Sequence, residues 1–241
     1  MTKIIINKII FYSFNKIKFS KLIKKNGLYV FPAAPALTKI DKDFEYKNSL
    51  INSDYVFLDS GFLCLFLLFF KGVRVKKLSG LKFLRKLLSY LRYKKKKLYL
   101  IDPNSLHSNK NFIFLKKLNI NKVESYVAPK YKSKISDKKL LGKINKYKPD
   151  FILINIGGGV QEKLGYYLKK NVRFKTKIIC TGAAIAFLTG LQAKIPKIID
   201  IIYLGWFFRI IFSPSQYFIR YFKSFKLLFI LLRSKIKIIN S

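Results

Sequence analysis

The chain has 241 residues and a formal net charge of +38, from 49 Lys and Arg residues against 11 Asp and Glu. Hydrophobic residues make up 51% of the sequence. That fraction excludes a disordered basic tail, because disorder requires a chain too poor in apolar surface to offset its conformational entropy. The length predicts one α/β domain, alone or with a short appendage. No window of 18 residues lacks a charged side chain, so a membrane-spanning helix is not expected.

The positive charge comes almost entirely from lysine, which supplies 42 of the 49 basic residues. The chain is also rich in Ile, Asn, Tyr and Phe, so an A/T-rich codon composition explains the lysine excess as well as ligand recognition does. Phosphate-binding sites tend to favour Arg. Whatever its origin, the charge attracts anionic membrane surfaces and nucleic acid. Nucleic acid is the disfavoured partner, because no RNP, helix-turn-helix or zinc-finger pattern accompanies the charge.

Cysteine and histidine usage argues against metal and disulfide chemistry. Cys64 and Cys180 lie in apolar surroundings without a CxxC spacing, which favours buried thiols in a reducing compartment. His107 is the only histidine, so neither a His/Cys metal site nor a Ser-His-Asp triad is expected. No cofactor is expected. Residues 41–43 (DKD) match a DxD metal motif, but no strand precedes them and a surface turn is favoured. Residues 1–25 mix Lys with Ile and Phe, unlike a secretory signal, so we expect a cytoplasmic chain.

Short apolar runs alternate with stretches of helical length along most of the chain. This alternation predicts an α/β fold, with a Rossmann-like, mostly parallel sheet covered by helices on both faces. In such sheets ligands bind beyond the carboxyl ends of the strands, so the residues that follow each strand are the candidates for function. The predicted strands span residues 28–31, 55–58, 98–101, 123–127, 151–156 and 177–181.

Three predicted strand ends carry residues suited to chemistry or to anion binding. Asp59 ends an otherwise apolar strand, where it is either a catalytic carboxylate or the N-cap of the next helix. Gly157, Gly158 and Gly159 lie between a strand and a helix, where glycines let backbone N–H groups approach an anion. We expect Gly157 to need a positive φ. Gly182 follows the next strand in a second turn of small residues. The spacing fits neither GxGxxG nor a P-loop.

The alternation of strands and helices stops near residue 198, where an aromatic and basic segment begins. On a helix that starts near Pro214, the basic side chains fall on one arc and Phe and Leu side chains on another, which suits a membrane interface. A basic-faced helix packed on the domain is the alternative. We therefore expect a basic N-terminal segment over 1–26, a Rossmann-like core over 27–197 and an amphipathic, membrane-docking helical appendage over 198–241.

Four segments occur in the order and spacing of a known family. They are residues 52–59 (NSDYVFLD), 148–163 (KPDFILINIGGGVQEK), 181–190 (TGAAIAFLTG) and 204–209 (LGWFFR). In these segments the chain resembles the WecG/TagA/CpsF glycosyltransferases, glycosyltransferase family 26, over roughly residues 28–221. Those enzymes move an N-acetylmannosamine-type sugar from a UDP donor to a polyprenyl-diphosphate-linked acceptor.

The resemblance implies an inverting, metal-independent transferase of cell-surface polysaccharide synthesis, peripheral on the inner face of the membrane. It makes Asp59 the catalytic base. Such a transfer needs a base for the acceptor hydroxyl and positive charge or backbone donors for the departing diphosphate. The expected partners are a UDP-sugar and a lipid-linked acceptor, and a homo-oligomer stays open. The substrate-binding residues expected on this basis are Gly157, Gly158, Gly159, Gln161, Glu162, Gly182, Lys77, Arg209 and Arg220.

The chain also departs from the family pattern. Val160 stands where the family has a lysine, and Lys77 where it has an arginine. Ala33, Ala186 and Gly205 replace the family's Asn, Asp and Glu. These departures motivate a second hypothesis, in which the chain is a catalytically inactive relative that acts as an assembly partner at the membrane surface.

Overall fold

Nine strands form one mixed sheet in the computed structural model, which describes residues 2–13, 19–132, 134–192, 211, 218–219 and 222–239. The strand order is β6-β5-β7-β8-β3-β4-β2-β1-β9. The strands are β1 (Lys3–Ile6), β2 (Ile9–Tyr12), β3 (Gly27–Val30), β4 (Tyr55–Phe57), β5 (Leu98–Asp102), β6 (Val123–Val127), β7 (Phe151–Ile154), β8 (Lys177–Cys180) and β9 (Ile236–Ile239).

The strands from β6 to β2 in this order pair in parallel. Six of these parallel strands, β3 to β8, are the ones that the sequence predicts. Each predicted strand starts within one residue of its observed start. The prediction of an α/β fold with a mostly parallel sheet is therefore confirmed.

Three further strands at one side of the sheet were not predicted. β1 and β2 form an antiparallel hairpin whose turn residues Asn7 and Lys8 have φ values of 48° and 72°. Two positive φ angles characterise the type I′ turn that suits the twist of a two-residue hairpin. β9 pairs antiparallel with β1, with Ile6 opposite Ile236. The sheet therefore joins residues from both ends of the chain.

Helices cover both faces of the sheet. The first face carries α2 (Ala34–Leu37), α3 (Phe44–Ile51), α4 (Gly61–Lys71), α7 (Lys138–Tyr147), α8 (Val160–Asn171) and α9 (Lys226–Arg233), with a 3₁₀ turn (Lys223–Phe225) before α9. The second face carries α1 (Phe19–Leu22), α5 (Gly80–Arg92), α6 (Ser105–Lys117) and a 3₁₀ helix, η1 (Gly182–Phe187). Side chains alternate between the two faces, so Ile152 and Ile154 join the first core and Phe151 and Leu153 the second.

The described part of the C-terminal segment contains α9, a helix with some apolar side chains buried and others exposed. Leu227, Ile230 and Leu231 of α9 are buried against the first face. Phe225 and Phe229 are 48% and 62% exposed, and the basic residues of the helix are exposed beside them. The helix therefore packs on the domain and still presents aromatic side chains to its surroundings. Arg209 and Arg220 lie outside the described residues.

Candidate active site

Four parallel neighbours, β7, β8, β3 and β4, bring their carboxyl ends to the same edge of the sheet. The residues that follow these strands are therefore close in space. Gly157 follows β7, Thr181 follows β8, Phe31 follows β3 and Asp59 follows β4 after one more residue. Two of these positions, at Asp59 and Gly157, are candidates from the sequence.

Asp59 is half-buried, and its backbone N–H donates to the carbonyl oxygen of Phe57 at 3.0 Å. It is not the N-cap of α4. That role belongs to Ser60, whose Oγ accepts a hydrogen bond from the N–H of Leu63 at 3.1 Å. The alternative in which Asp59 serves as the helix cap is therefore wrong. The carboxylate does not owe its position to capping, which strengthens the case for a chemical role.

Lys77 lies near Asp59 in space although their positions differ by 18 in the sequence. The N–H of Leu78 donates to the carbonyl oxygen of Leu58 at 3.0 Å. Lys77 directly precedes Leu78 and Asp59 directly follows Leu58, so this hydrogen bond brings the two charged residues together. Both charges also act on the buried thiol of Cys64. Burial raises the pKa of that thiol to about 12, the Lys77 charge acts to lower it and the Asp59 charge acts to raise it.

The glycine turn after β7 leads directly into α8. Gly159 is the N-cap of that helix and has a φ of +91°, a conformation that side chains with a Cβ rarely adopt. The expectation of a positive φ at Gly157 is wrong, because this residue is absent from the left-handed positions. Gly157 is exposed, and a Cβ built on it would meet no atom within 4 Å. The turn is therefore open to a ligand at its first residue.

Lys39 adds positive charge to this turn. Its Nζ lies 3.6 Å from the position that a Cβ on Gly159 would take. Nothing in the local sequence around Lys39 points to this contact, because it depends on how α2 packs over the carboxyl edge of the sheet.

Gln161 and Glu162 connect the two glycine turns from inside the protein. Both are buried, at 2% and 0% exposed. The N–H of Gly159 donates to Glu162 Oε2 at 2.6 Å, and Gln161 Nε2 donates to Glu162 Oε1 at 3.1 Å. Gln161 Oε1 in turn accepts from the N–H of Gly182 at 2.7 Å. These two side chains therefore hold Gly159 and Gly182 in place.

Burial raises the pKa of Glu162, while its hydrogen bonds and the nearby Lys39 charge act to lower it. Gly182 has a φ of +61° and continues directly into η1. The predicted site residues that the structure describes thus form two groups, one around Asp59 and one across the two turns.

The described residues contain no group of three or more His, Cys, Asp and Glu side chains that could hold a metal ion. In the DxD match, Asp43 is the N-cap of α3, where it accepts from the N–H of Tyr46 at 2.9 Å. It also forms a 3.0 Å ion pair with Lys163. Burial acts to raise the pKa of Asp43, but this hydrogen bond and ion pair outweigh burial and lower it. Its role is structural.

The fold is thus an α/β sheet with a carboxylate, Asp59, and a glycine turn at the start of α8 along one carboxyl edge. The sequence model of the Glycosyl transferase WecG/TagA/CpsF family matches residues 13–240. The chain belongs to this family of polysaccharide synthesis, and membership implies UDP-sugar-dependent transferase activity toward a lipid-linked acceptor. Among curated proteins, none matches the chain. In the part of the chain that the structure describes, no helix has both the length and the apolar character needed to cross a membrane.

Proposed function

We propose that the chain is an inverting glycosyltransferase that moves an N-acetylmannosamine-like sugar from UDP to a polyprenyl-diphosphate-linked acceptor. The observation that carries the proposal is the shared sheet edge of Asp59 and the turn from Gly157 to Gly159. One supplies a carboxylate that is not used as a helix cap, and the other supplies open backbone at a helix N-terminus.

The reaction divides between these two groups. The Asp59 carboxylate takes the proton of the acceptor hydroxyl as its oxygen attacks C1 of the sugar. The bond between C1 and the diphosphate oxygen breaks, the configuration at C1 inverts and UDP leaves with the bonding electron pair. Charge that develops on UDP is stabilised by the N–H groups at the start of α8 and by Lys39. Arg209 and Arg220 add to this charge stabilisation in the proposal.

Lys77 is a substrate-binding residue in the proposal, because its positive charge lies near Asp59 and attracts the anionic substrates. Gln161 and Glu162 act indirectly, since their hydrogen bonds fix the turns at Gly159 and Gly182. We therefore assign these two residues to positioning of the donor site.

The acceptor places the reaction at a membrane surface, and α9 supports docking there. Exposed aromatic side chains such as Phe229 lie on the same helix as exposed basic side chains such as Lys226. Aromatic groups favour the membrane interface, and basic groups favour anionic lipid. The proposed location is the inner face of the cell membrane.

The test is a donor and acceptor screen. A panel of UDP-N-acetylhexosamines is first compared by thermal stabilisation, because a ligand that binds only the native state raises its stability. The donors that stabilise the protein are then incubated with a synthetic polyprenyl-diphosphate-linked sugar. We expect a product of inverted anomeric configuration, detected by mass spectrometry and NMR. Stabilisation by UDP-sugars without any transfer would favour the inactive assembly partner.

A further inference from the structure

An open groove lies between α3 and the strands that the two ends of the chain add to the sheet. It has a volume of about 640 Å³, within the range of about 300–1,000 Å³ that is typical of small-molecule sites. Its described lining comes from α3, from the hairpin of β1 and β2 and from the start of β9: Phe44, Lys47, Asn48, Ile51, Ile5, Asn7, Lys8, Lys235 and Lys237. We call this cavity the lysine groove.

α3 forms one wall of the lysine groove with a single side of the helix. Phe44, Lys47, Asn48 and Ile51 follow one another at spacings of three and four residues, which places them on one side. The opposite side of α3 packs into the first core, where Leu50 is 1% exposed. Phe44 and Ile51 are 77% and 39% exposed. The wall therefore carries apolar surface that the described fold leaves uncovered.

The other wall is held together by hydrogen bonds between the two ends of the chain. Asn7 Nδ2, in the turn before β2, donates to Ser234 Oγ at 2.9 Å. Ser234 Oγ donates in turn to the carbonyl oxygen of Ile230 in α9 at 2.6 Å. Lys8 directly follows Asn7 and Lys235 directly follows Ser234. These hydrogen bonds therefore hold two of the groove's lysines close together, beside the end of α9.

The charge of the groove is entirely positive. Lys8, Lys47, Lys235 and Lys237 line it, and among the described residues no acidic side chain does. In the same part of the chain, none of these four lysines forms an ion pair. Four like charges around one cavity repel one another, and an anion between them relieves that repulsion. The groove therefore suits a negatively charged ligand.

The apolar surface narrows the class of this ligand. A free phosphate would pair with the lysines and leave Phe44 and Ile51 exposed to water, whereas an anionic amphiphile also covers their apolar surface. The position of the groove indicates a source of amphiphiles. α9, the helix that docks on the membrane in the proposed function, ends at Arg233, and Lys235 is the second residue after it.

We propose that the lysine groove binds an anionic phospholipid of this membrane, with the phosphate between the lysines and an acyl chain along Phe44 and Ile51. The source of the lipid rests on the proposed membrane location, but the groove does not rest on sugar transfer. None of the candidate site residues is in its described lining. Its hairpin turn lies at the amino edge of the sheet, because β2 begins directly after it and runs parallel to β4, which leads to Asp59. The bound lipid is therefore distinct from the acceptor.

The combined change Lys47→Gln and Lys235→Gln tests the proposal, because it removes one charge from each wall. Lys138→Gln with Lys139→Gln on α7 is the matched control, since it removes the same net charge elsewhere. A hydrogen bond joins the start of α7 to β6, the strand at the opposite end of the sheet from β9. Within the described residues none of these four lysines forms an ion pair, so both variants should melt close to the parent.

Calorimetry then measures binding of dihexanoylphosphatidylglycerol below its micelle concentration, so that no bilayer is needed. Glycerol phosphate provides the charge without acyl chains, and dihexanoylphosphatidylcholine provides the chains without net charge. We expect the parent to bind the phosphatidylglycerol at least about tenfold more tightly than either. The Lys47 and Lys235 variant should bind it about tenfold to thirtyfold more weakly than the parent, and the control should bind it like the parent.

Phe44→Ala tests the apolar part of the groove separately. It should weaken phosphatidylglycerol binding about threefold to tenfold and leave the affinity for glycerol phosphate unchanged. Tyr93→Ala is the control, because Tyr93 is exposed to a similar extent, 79% against 77%, and does not line the groove. That variant should bind all three compounds like the parent.

Three results would overturn the proposal. Equal phosphatidylglycerol affinity in the parent and in the Lys47 and Lys235 variant would show that the groove is not a lipid site. Glycerol phosphate that binds as tightly as the lipid would replace the lipid by a free phosphate compound. Phosphatidylcholine that binds as tightly would show that the lysines do not select the ligand.

Failure of the proposed membrane location is recognised by a separate measurement, which is co-sedimentation of the parent with phosphatidylglycerol vesicles at high salt. A parent that binds the monomeric lipid but does not sediment would overturn the membrane as the source of the lipid. Loss of sedimentation in Phe229→Ala, with unchanged binding of the monomeric lipid, would support both the docking helix and the separate groove.

Discussion

Gly157 and Gly159 lie two residues apart and have different reasons to be glycine. Gly159 adopts a φ of +91° at the start of α8, so its identity is required by the backbone. Gly157 is not among the glycines with a positive φ, and a Cβ built on it meets no atom within 4 Å, so neither backbone conformation nor crowding requires glycine there. Close approach of the donor diphosphate does require it in the proposed function.

Replacement of Gly157 by Val should therefore weaken UDP binding about tenfold to a hundredfold, the range for loss of charge-assisted hydrogen bonds, with little change in melting temperature. Gly142→Ala on α7 is the control, since its new Cβ also meets no atom within 4 Å. That variant should gain about 0.5–1 kcal/mol of stability and keep the parent's UDP affinity. Calorimetry and thermal denaturation give both values. Unchanged UDP affinity in the Gly157 variant would move the donor site to the Gly182 turn.

The sequence identifies some site residues and not others for a physical reason. Asp59 and the glycine turn follow apolar strands directly, so strand periodicity alone places them at the carboxyl edge. Lys39 reaches Gly159 only through the packing of α2. The contact between Asp102 and Asn155 depends on strands 53 residues apart pairing in register. Contacts of this kind leave no local pattern.

The same distinction holds for whole elements. Five of the six predicted strands lie inside the sheet and are mostly apolar runs, the pattern of strands buried on both faces. The sixth, β6, is an edge strand that carries Glu124 and Ser125, and it was predicted as well. β1 begins with Lys3 and the turn before β2 contains Lys8, and lysine among isoleucine is a pattern that also fits a charged surface segment. β9 gains its strand conformation from pairing with β1, more than 200 residues away. Local sequence cannot report a pairing of that range.

α9 allows packing and membrane docking to be tested separately. Leu231 is 2% exposed and Phe229 is 62% exposed on the same helix. Leu231→Ala should lower the free energy of unfolding by about 2–5 kcal/mol. Phe229→Ala should change it by less than about 0.5 kcal/mol and weaken binding to anionic phospholipid vesicles at high salt about tenfold. Denaturation and vesicle co-sedimentation measure the two effects. Equal losses of stability in the two variants would show that the aromatic side serves packing.

Vesicle binding must be compared at high salt because the whole molecule is strongly positive. A net charge of +38 binds anionic vesicles at low salt wherever the contact lies. Salt screens that contribution over a distance of about 8–10 Å and leaves the apolar contribution of exposed aromatic rings intact. Removal of the entire segment after Phe212 is a poorer test, because it also deletes β9 and the buried leucines of α9.

The net positive charge of the whole molecule also affects how often the substrates reach the active site. Both the UDP donor and the lipid-linked acceptor are anions, and a strongly positive surface raises their encounter rate without deciding which group reacts. The transfer reaction depends instead on the few groups at the carboxyl edge of the sheet. The whole chain has only 11 acidic residues, so few carboxylates are candidates for the catalytic base. Asp59 and Asp102 both lie at this edge after apolar strand residues, and neither caps a helix. Asp102 is 0% exposed whereas Asp59 is half-buried, so Asp59 is the one that a substrate reaches.

The rate of sugar transfer by Asp59→Asn, measured beside Ser60→Ala, tests the central claim most directly. Asp59→Asn should lower kcat about 100- to 10,000-fold, the contribution of a general base, and should keep the parent's melting temperature and UDP affinity. Ser60→Ala should lose about 0.5–2 kcal/mol of stability with the cap of α4 and keep kcat within a few-fold. Transfer by Asp59→Asn within a few-fold of the parent would contradict the assignment of Asp59 as the base.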